Sequence, residues 1–201
     1  VQTCALPICE FIGYAVNGTP ADCVKLAIAV LLDEPPKLVV SGINLGGNLG
    51  ICALYSGTVS AATEAMVMGV PSIAVSLDTY ENPDFIPAAK FARKFIPQLL
   101  KKGLPDGVVL NINVPPVPES EFVGVAITRQ GKSRVIEEFD RREDPRGRTY
   151  YWLAGEMLFE ETEEGADCVM IAKKYISIAP IHFDLTHYPS IDKLKDWKIE
   201  L

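Results

Sequence analysis

Apolar and polar positions alternate in blocks along the chain, and the blocks predict strands and helices in turn. Residues 38–41 and 72–77 are short apolar runs, which are typical of buried parallel strands. Residues 107–114 are a third predicted strand, which ends at two consecutive prolines. Between these runs, residues 58–68 predict a helix of small residues, and residues 85–101 have the apolar spacing of an amphipathic helix.

A further helix is predicted before the first strand. Thr19 can accept hydrogen bonds from amides of the first turn, and Pro20 suits the first helical position. This helix is expected to run from Pro20 to about Leu32. Strand and helix alternation through residue 114 favours an α/β fold with a parallel sheet and right-handed crossovers. Ligands of such sheets bind at the carboxyl ends of the strands.

The second half of the chain has a different pattern. Residues 122–129 and 149–153 are predicted strands, and the charged stretch 132–148 between them could be a flap or an arm that reaches a second subunit. The C-terminal predictions are strands at 168–171 and 175–180 and a helix at 190–201.

Composition and charge exclude several classes of protein. The 201 residues suffice for one large domain, and 48% hydrophobic with 22% charged residues is ordinary for a globular protein. The net charge is −7, without a dense basic cluster for nucleic acid or an apolar run long enough to cross a membrane. Five cysteines without a CxxC pair favour a reducing cytoplasm over disulfides or a zinc site.

Residues 1–8, VQTCALPI, match no pattern in their surroundings. The bases GTT CAG ACG TGT GCT CTT CCG ATC, part of a short-read sequencing adapter, encode these eight residues. We therefore interpret residues 1–8 as a library artefact, with a natural divergent N-terminus as the alternative. Residues 9–201 are then expected to form a single α/β domain.

The candidate chemistry lies in VVSGINLGGNLG, residues 39–50, and in the segment Ser56-Gly57-Thr58 that follows. A glycine-rich turn lets backbone amides approach an anion, and a helix that opens at Ser56 offers unpaired amides to a phosphate. Asn44 offers a carbonyl oxygen that suits a hard cation. Neither GK[ST] nor GxGxxG is present, so the pattern alone leaves a phosphate-binding loop and a plain connection equally open.

Several motifs resemble the SurE family when they are taken in order. They are VNGTPADCV, VVSGINLGGNLG, YSGTVSAATEA, GVPSIAVSL, LNINVP, DPRG…YYW and SIAPIHFDLT. The resemblance extends from about Tyr14 to the C-terminus. SGINxGxNxG followed closely by YSGTV is its most specific part.

The resemblance implies a fold, an activity and an assembly. The fold is a Rossmann-like three-layer α/β sandwich whose first strands are missing here, with a β-rich arm at residues 129–153 that is used in oligomerisation. The activity is metal-dependent hydrolysis of nucleoside 5′-monophosphates, with one divalent ion, Mg²⁺ or Mn²⁺. Some members also trim short polyphosphate. The assembly is a homodimer or homotetramer, without nucleic acid or membrane as a partner.

The resemblance also implies roles for individual residues. Asn44 maps onto a metal ligand, and the residues that shape the site or bind phosphate and substrate are Ser41, Gly42, Gly46, Asn48, Ser56, Gly57 and Thr58. The family's other ligands are two consecutive aspartates in an N-terminal NDDG and a serine, and this sequence has no counterpart of them. We therefore expect a truncated, inactive chain of a 5′-nucleotidase. The alternatives are a noncatalytic phosphate or nucleotide binder and, from fold analogy alone, a dinucleotide-binding oxidoreductase.

Other polar and aromatic residues have structural interpretations. His182 and His187 are expected to be structural rather than catalytic. Asn111 and Asn113 could be edge positions of a strand, or one of them could face the pocket. Three aromatic residues, Tyr150, Tyr151 and Trp152, are expected at an interface or in the core.

Overall fold

The computed structural model describes residues 2–5, 11–158, 162–197 and 199. At the N-terminus, β1 (Gln2–Ala5) and β2 (Phe11–Ala15) pair as an antiparallel hairpin. Val1 and residues 6–10 lie outside the described residues, so the interpretation of residues 1–8 as an artefact falls partly outside them too and stays a prediction.

The remaining elements alternate between helix and strand up to residue 114. In chain order they are α1 (Pro20–Leu26), β3 (Val39–Leu45), α2 (Gly57–Val67), β4 (Ser72–Leu77), α3 (Ile86–Lys102), β5 (Val109–Val114), β6 (Gly124–Ile127), β7 (Arg134–Glu143), β8 (Thr149–Leu158), α4 (Asp167–Ala172), β9 (Tyr175–Ile181) and α5 (Tyr188–Lys195). A π-helical segment, Ala27–Leu31, extends α1, and a 3₁₀ turn, Gly50–Tyr55, precedes α2.

Five strands form the central sheet in the order β3-β4-β5-β9-β6. Strands β3, β4 and β5 are mutually parallel, β6 is parallel to β9, and β9 is antiparallel to β5. The predicted α/β fold with a mostly parallel sheet is therefore confirmed. The carboxyl ends of β3, β4 and β5 meet at one edge of the sheet, where ligands bind in folds of this kind.

Helices cover both faces of the sheet, which explains why β4 is apolar almost throughout. All six residues of β4 are buried. On one face, Ile73 and Val75 pack with Ala88 and Leu99 of α3. On the other face, Ala74 packs against the small residues of α2, such as Ala62. A strand covered on both faces has no solvent side, so its sequence does not alternate.

Three sequence predictions about elements are corrected by the structure. Residues 168–171 form part of the helix α4 instead of a strand, because a short buried apolar run has no periodicity that separates the two. The first sheet strand, β3, continues past Ser41 to Leu45. The helix predicted from Pro20 to about Leu32 is α-helical only to Leu26, and the π-helical segment Ala27–Leu31 continues it.

The charged stretch forms a long hairpin. Strand β7 pairs antiparallel with β8, from Arg134 opposite Leu158 to Glu143 opposite Thr149. The aromatic residues predicted for an interface or the core are exposed on this hairpin, as in Tyr151 and Trp152. Use of the hairpin as an oligomerisation arm stays a prediction. The predicted C-terminal helix at 190–201 is α5, which spans 188–195; residues 198, 200 and 201 lie outside the description.

The outer strand β3 exposes apolar side chains at the edge of the sheet. Among the described residues, β3 pairs with β4 alone, and Val40 and Leu45 are exposed. An unpaired apolar edge is a site for association between chains. We expect Val40→Lys to lower aggregation, measured by light scattering against concentration. Val67→Lys, at an exposed valine of α2, is the matched control. Equal effects of the two substitutions would show that the β3 edge is not the cause of aggregation.

Asp184 gives a prediction for the pH dependence at the start of α5. Hydrogen bonds from Thr186 and from the Tyr188 hydroxyl lower the pKa of Asp184 from 3.8 to about 2. A lowered pKa in the folded state means that the carboxylate stabilises the fold above pH 3.8, and that this contribution is lost as pH falls through 2. We expect an NMR titration of the Asp184 carboxyl to have its midpoint near 2 and Tyr188→Phe to raise it. A midpoint near 3.8 would contradict these contacts.

Candidate active site at the carboxyl ends of β3 and β4

Asn44 lies near the carboxyl end of β3 with its side chain held by the loop that follows. Its amide nitrogen donates to the carbonyl oxygens of Leu45, at 3.1 Å, and Gly46, at 2.8 Å. Because both donors of the amide are directed to the loop backbone, the carbonyl oxygen Oδ1 is the atom available to a ligand. These bonds are compatible with Asn44 as a cation ligand, which stays a prediction.

An irregularity in β3 separates Ser41 from Asn44. Ser41 pairs with Ala74 and Asn44 with Ser76, so three steps along β3 match two along β4. Within it, the Gly42–Ile43 peptide bond is cis, and Gly42 has a φ of 115°. A Cβ on Gly42 would lie 2.2 Å from the Val75 carbonyl oxygen, so only glycine fits there.

The backbone amides of the glycine loop, residues 46–51, donate to acceptors of the protein itself. Gly46 donates to the Leu77 carbonyl at 2.9 Å, and Asn48 donates to Asn113 Oδ1 at 2.8 Å. Gly50 donates to Asp167 Oδ2 at 2.9 Å, and Ile51 donates to the Ser133 carbonyl at 3.0 Å. The sequence predicted that the backbone amides of this turn could bind an anion. In the structure these four are already bonded, so the loop is a rigid frame beside Asn44.

Asn48 lies at the centre of a buried polar network. Its side-chain nitrogen donates to Ser76 Oγ at 2.7 Å. Its backbone carbonyl oxygen accepts from the side-chain nitrogens of Asn111, at 2.8 Å, and Asn113, at 3.3 Å. The suggestion that Asn111 and Asn113 are edge positions is wrong, because β5 lies between β4 and β9 and both residues are buried. They hold the loop in place from the neighbouring strand.

The helix α2 begins next to this loop. Ser56 is its N-cap, and Ser56 Oγ accepts a hydrogen bond from the Val59 amide at 3.1 Å. The amides of Gly57 and Thr58 come first in the helix and have no acceptor within it. Side chains at positions 56 and 58 are half-buried, so they remain accessible. This helix start has the geometry and partial positive charge that bind phosphate.

The N-terminus of α1 closes the site on another side. Pro20 lies so close to α2 that a Cβ on Gly57 would be 3.0 Å from its ring. An open cavity of about 370 Å³ extends between the two elements and β3, and its lining includes Gly18, Ser41 and Gly42. The structure thus brings Ser41 and Gly42 to one cavity wall and α1 to the other.

Two carboxylates beside the loop, the half-buried Asp78 and the buried Asp167, were missed by the sequence reasoning. Burial raises the pKa of Asp78, which follows β4, although the Gly47 amide that donates to it acts in the opposite direction. Asp167, in the first turn of α4, accepts hydrogen bonds from the amides of Gly50, Gly131 and Cys168. The position of Asp78 directly after a strand was a usable signal, whereas Asp167 is 117 residues from Gly50.

Tyr80 is a further residue that the sequence did not single out. Its ring lies against the loop, because a Cβ on Gly46 would be 2.4 Å from the ring carbon that carries the hydroxyl. The side chain is nevertheless exposed. Tyr80 therefore covers the loop two residues beyond Asn44.

A metal site at Asn44 would need further ligands that converge on the same point. Among the described residues, no group of three or more His, Cys, Asp and Glu side chains converges as a cation site would require. Asn44 Oδ1 is one neutral oxygen, and a divalent cation needs several oxygen ligands, mostly charged. The described residues alone therefore do not fit a divalent metal.

The chain is similar to proteins of one known family. The family profile described as Survival protein SurE matches residues 7–137. A protein named 5′-nucleotidase SurE from Syntrophobacter fumaroxidans is 50% identical over 190 residues, which cover 94% of this chain and 76% of that protein. One of the same name from Nostoc sp. is 52% identical over 197 residues, covering 94% and 74%. The crystal structure of Sure protein from Aquifex aeolicus is 41% identical with a TM-score of 0.77, covering 91% of this chain and 74% of that one.

Proposed function

The chain belongs to the SurE family, and from this membership we propose that it is a 5′-nucleotidase that removes phosphate from nucleoside 5′-monophosphates. The relatives named 5′-nucleotidase SurE, at about half identity over nearly the whole chain, support this activity. The observation that carries it within this molecule is the start of α2, a helix that follows the glycine loop and lies against β3.

The phosphate is proposed to bind at Ser56, Gly57 and Thr58. The amides of Gly57 and Thr58 and the hydroxyls of Ser56 and Thr58 can donate to phosphoryl oxygens at the positive end of α2. Donors placed in this way also stabilise the charge on the transferring group in the transition state. Ser41, Gly42, Gly46 and Asn48 are proposed to shape the site.

The metal expected for the family, Mg²⁺ or Mn²⁺, is proposed to take Asn44 Oδ1 as one ligand. When bound, such an ion polarises the phosphoryl group and helps to activate water. The roles assigned to this chain's own residues are to bind the phosphate, to orient it and to hold the loop.

A noncatalytic phosphate or nucleotide binder is the second candidate function. It is favoured by one observation: the start of α2 is complete within the described residues, whereas no cluster of carboxylates for a metal is found among them. Binding requires only the donors at Ser56–Thr58. Hydrolysis also requires the acidic ligands expected for the family.

An assembly and a location are also proposed. The exposed aromatic residues of the β7–β8 hairpin, among them Phe139, Tyr151 and Trp152, support a homodimer or homotetramer in which this hairpin contacts a second copy. Five cysteines without a CxxC pair support a location in the reducing cytoplasm. In the part of the chain that is described, no helix is both long and apolar enough to span a bilayer.

An NMR titration tests the proposed phosphate site independently of turnover. On addition of AMP or inorganic phosphate, we expect saturable shifts of the Gly57 and Thr58 amides. Thr58→Val should raise the Kd about tenfold or more, since a hydrogen bond to a charged group contributes roughly 1.5–3 kcal/mol. Thr63→Val, whose hydroxyl donates to the Val59 carbonyl in the same helix, is the matched control. Unchanged shifts at both amides would place the ligand elsewhere.

A further inference from the structure

Asp167 has an unusual environment for an acidic residue. It is 0% exposed, and its two carboxylate oxygens accept three backbone hydrogen bonds. Oδ2 accepts from the Gly50 amide at 2.9 Å, and Oδ1 accepts from Gly131 at 2.9 Å and from Cys168 at 2.8 Å. Three segments that are distant in sequence therefore meet at one carboxylate: the glycine loop, the segment before β7, and α4.

Gly50 is the point at which the glycine loop becomes the approach to the phosphate site. It begins the 3₁₀ turn Gly50–Tyr55, and Ser56 follows that turn directly as the N-cap of α2. The short turn leaves little slack between Gly50 and Ser56. The position of the Gly50 amide therefore determines where α2 starts relative to Asn44.

Neighbouring contacts fix the same end of the loop from the same side. The Gln130 side chain donates to the Gly50 carbonyl at 2.8 Å, and the Ile51 amide donates to the Ser133 carbonyl at 3.0 Å. Leu49 is buried against α4 residues Cys168 and Ile171. The Asp167 carboxylate adds a bridge to these direct bonds, because it accepts from Gly50 of the loop and from Gly131 of the segment before β7.

Burial disfavours the ionised form of Asp167, whereas three backbone amides and the charge of nearby Arg129 favour it. Arg129 is the nearby cation, and its guanidinium bonds to Glu163 at 2.7 Å. Burial raises the pKa of Asp167, although the amides of Gly50, Cys168 and Gly131 lower it. Ionised Asp167 thus costs the fold more in desolvation than its hydrogen bonds return.

We propose that Asp167 is a positioning residue for the phosphate site, which holds Gly50 against Gly131 and thereby places the Ser56–Thr58 helix start relative to Asn44. The inference rests on the proposed phosphate site. An ionised carboxylate suits the task because both of its oxygens are acceptors only. Since Gly131 leads through Ser133 into β7, the same carboxylate also joins the root of the β7–β8 hairpin to the site.

The test replaces one acceptor oxygen without changing the size of the side chain. In Asp167→Asn, the new amide nitrogen must face the N–H of Gly50 or of Gly131, and two donors cannot bond. We expect faster hydrogen exchange at the Gly50 or Gly131 amide, altered ligand-free shifts at Ser56–Thr58, and a Kd for inorganic phosphate at least about tenfold higher. Asp84→Asn is the matched control, because Asp84 is exposed and accepts a single amide bond, from Ile86.

A second variant keeps the negative charge of Asp167. In Gly131→Ala, the added Cβ would lie 2.8 Å from Asp167 Oδ1, so the carboxylate must leave its present position between Gly131 and Gly50. The same changes at Ser56–Thr58 and in phosphate affinity are expected, and this variant decides the question if Asp167→Asn does not fold. Folding is checked by the dispersion of amide shifts in the sheet.

The outcomes separate this inference from the proposed function. Folded variants with wild-type phosphate affinity and unchanged shifts at Ser56–Thr58 would overturn the positioning role. If the wild-type chain itself binds no phosphate at Gly57 and Thr58, the proposed site fails. The ligand-free shifts of Ser56–Thr58 in the two variants then decide the inference, and unchanged shifts overturn it.

Discussion

With Mn²⁺ present, the 201-residue chain is expected to release no measurable phosphate from AMP or p-nitrophenyl phosphate. The sequence contains no two consecutive aspartates. Among the described residues, no group of three or more acidic, histidine or cysteine side chains could hold a metal ion. Metal-assisted phosphoryl transfer needs charged oxygen ligands to hold the cation against the phosphate. We expect turnover from a chain extended at its N-terminus with the consecutive aspartates that the family resemblance implies.

In that extended chain, Asn44→Ala is expected to lower kcat/KM by about 100-fold or more. Loss of a metal ligand removes several kcal/mol of transition-state stabilisation, and each 1.36 kcal/mol corresponds to about tenfold in rate. Asn17→Ala, at an exposed position in the turn before α1, is the matched control. The measurement is phosphate release over a range of AMP concentrations, with the melting temperature of each variant.

Two results would contradict this account. Robust turnover by the 201-residue chain would mean that its own residues complete the metal site or that the cation is dispensable. Full activity of Asn44→Ala in the extended chain would remove Asn44 from the ligand set. In the second case Asn44 would be left with the role that its bonds to Leu45 and Gly46 already give it, which is to shape the loop.

The sheet core could be predicted from the sequence because its strands are buried on both faces. Residues 72–77 were predicted as a strand with the bounds that β4 has. Such a run is short, mostly apolar and preceded by a Gly-Val-Pro turn, so local information suffices. The buried run 168–171 lacks such boundaries, and tertiary packing on β9 made it a helix.

The frame of the site could not be predicted, because its contacts are long-range. Asn113 lies 65 residues from Asn48, and Asp167 lies 117 residues from Gly50. No local period or spacing relates such residues. The sequence therefore indicated the segments that carry the candidate chemistry, 41–48 and 56–58, while the residues that hold them came from strands and helices whose proximity only the fold reveals.

Gly50→Ala is expected to destabilise the protein by about 2–5 kcal/mol, and the physical reason has two separable parts. Gly50 has a φ of 53°, and a left-handed backbone costs a residue with a side chain about 1–2 kcal/mol. Its Cβ would also lie 2.4 Å from Ser133 Oγ and 2.5 Å from the Ser133 carbonyl oxygen. Overpacking of this kind adds about 1–3 kcal/mol.

Gly69→Ala separates the two parts in a urea unfolding experiment. Gly69 has a φ of 81°, and nothing lies within 4 Å of its would-be Cβ, so its substitution carries the backbone cost alone. The excess for Gly50→Ala over Gly69→Ala therefore measures how rigidly Ser133 is held. Ser133 is buried, and its carbonyl accepts from Ile51, so it cannot move without breaking a bond of the loop itself. Equal losses of stability would mean that the segment before β7 yields freely, and a segment that yields could not keep Gly50 at a fixed distance from the start of α2.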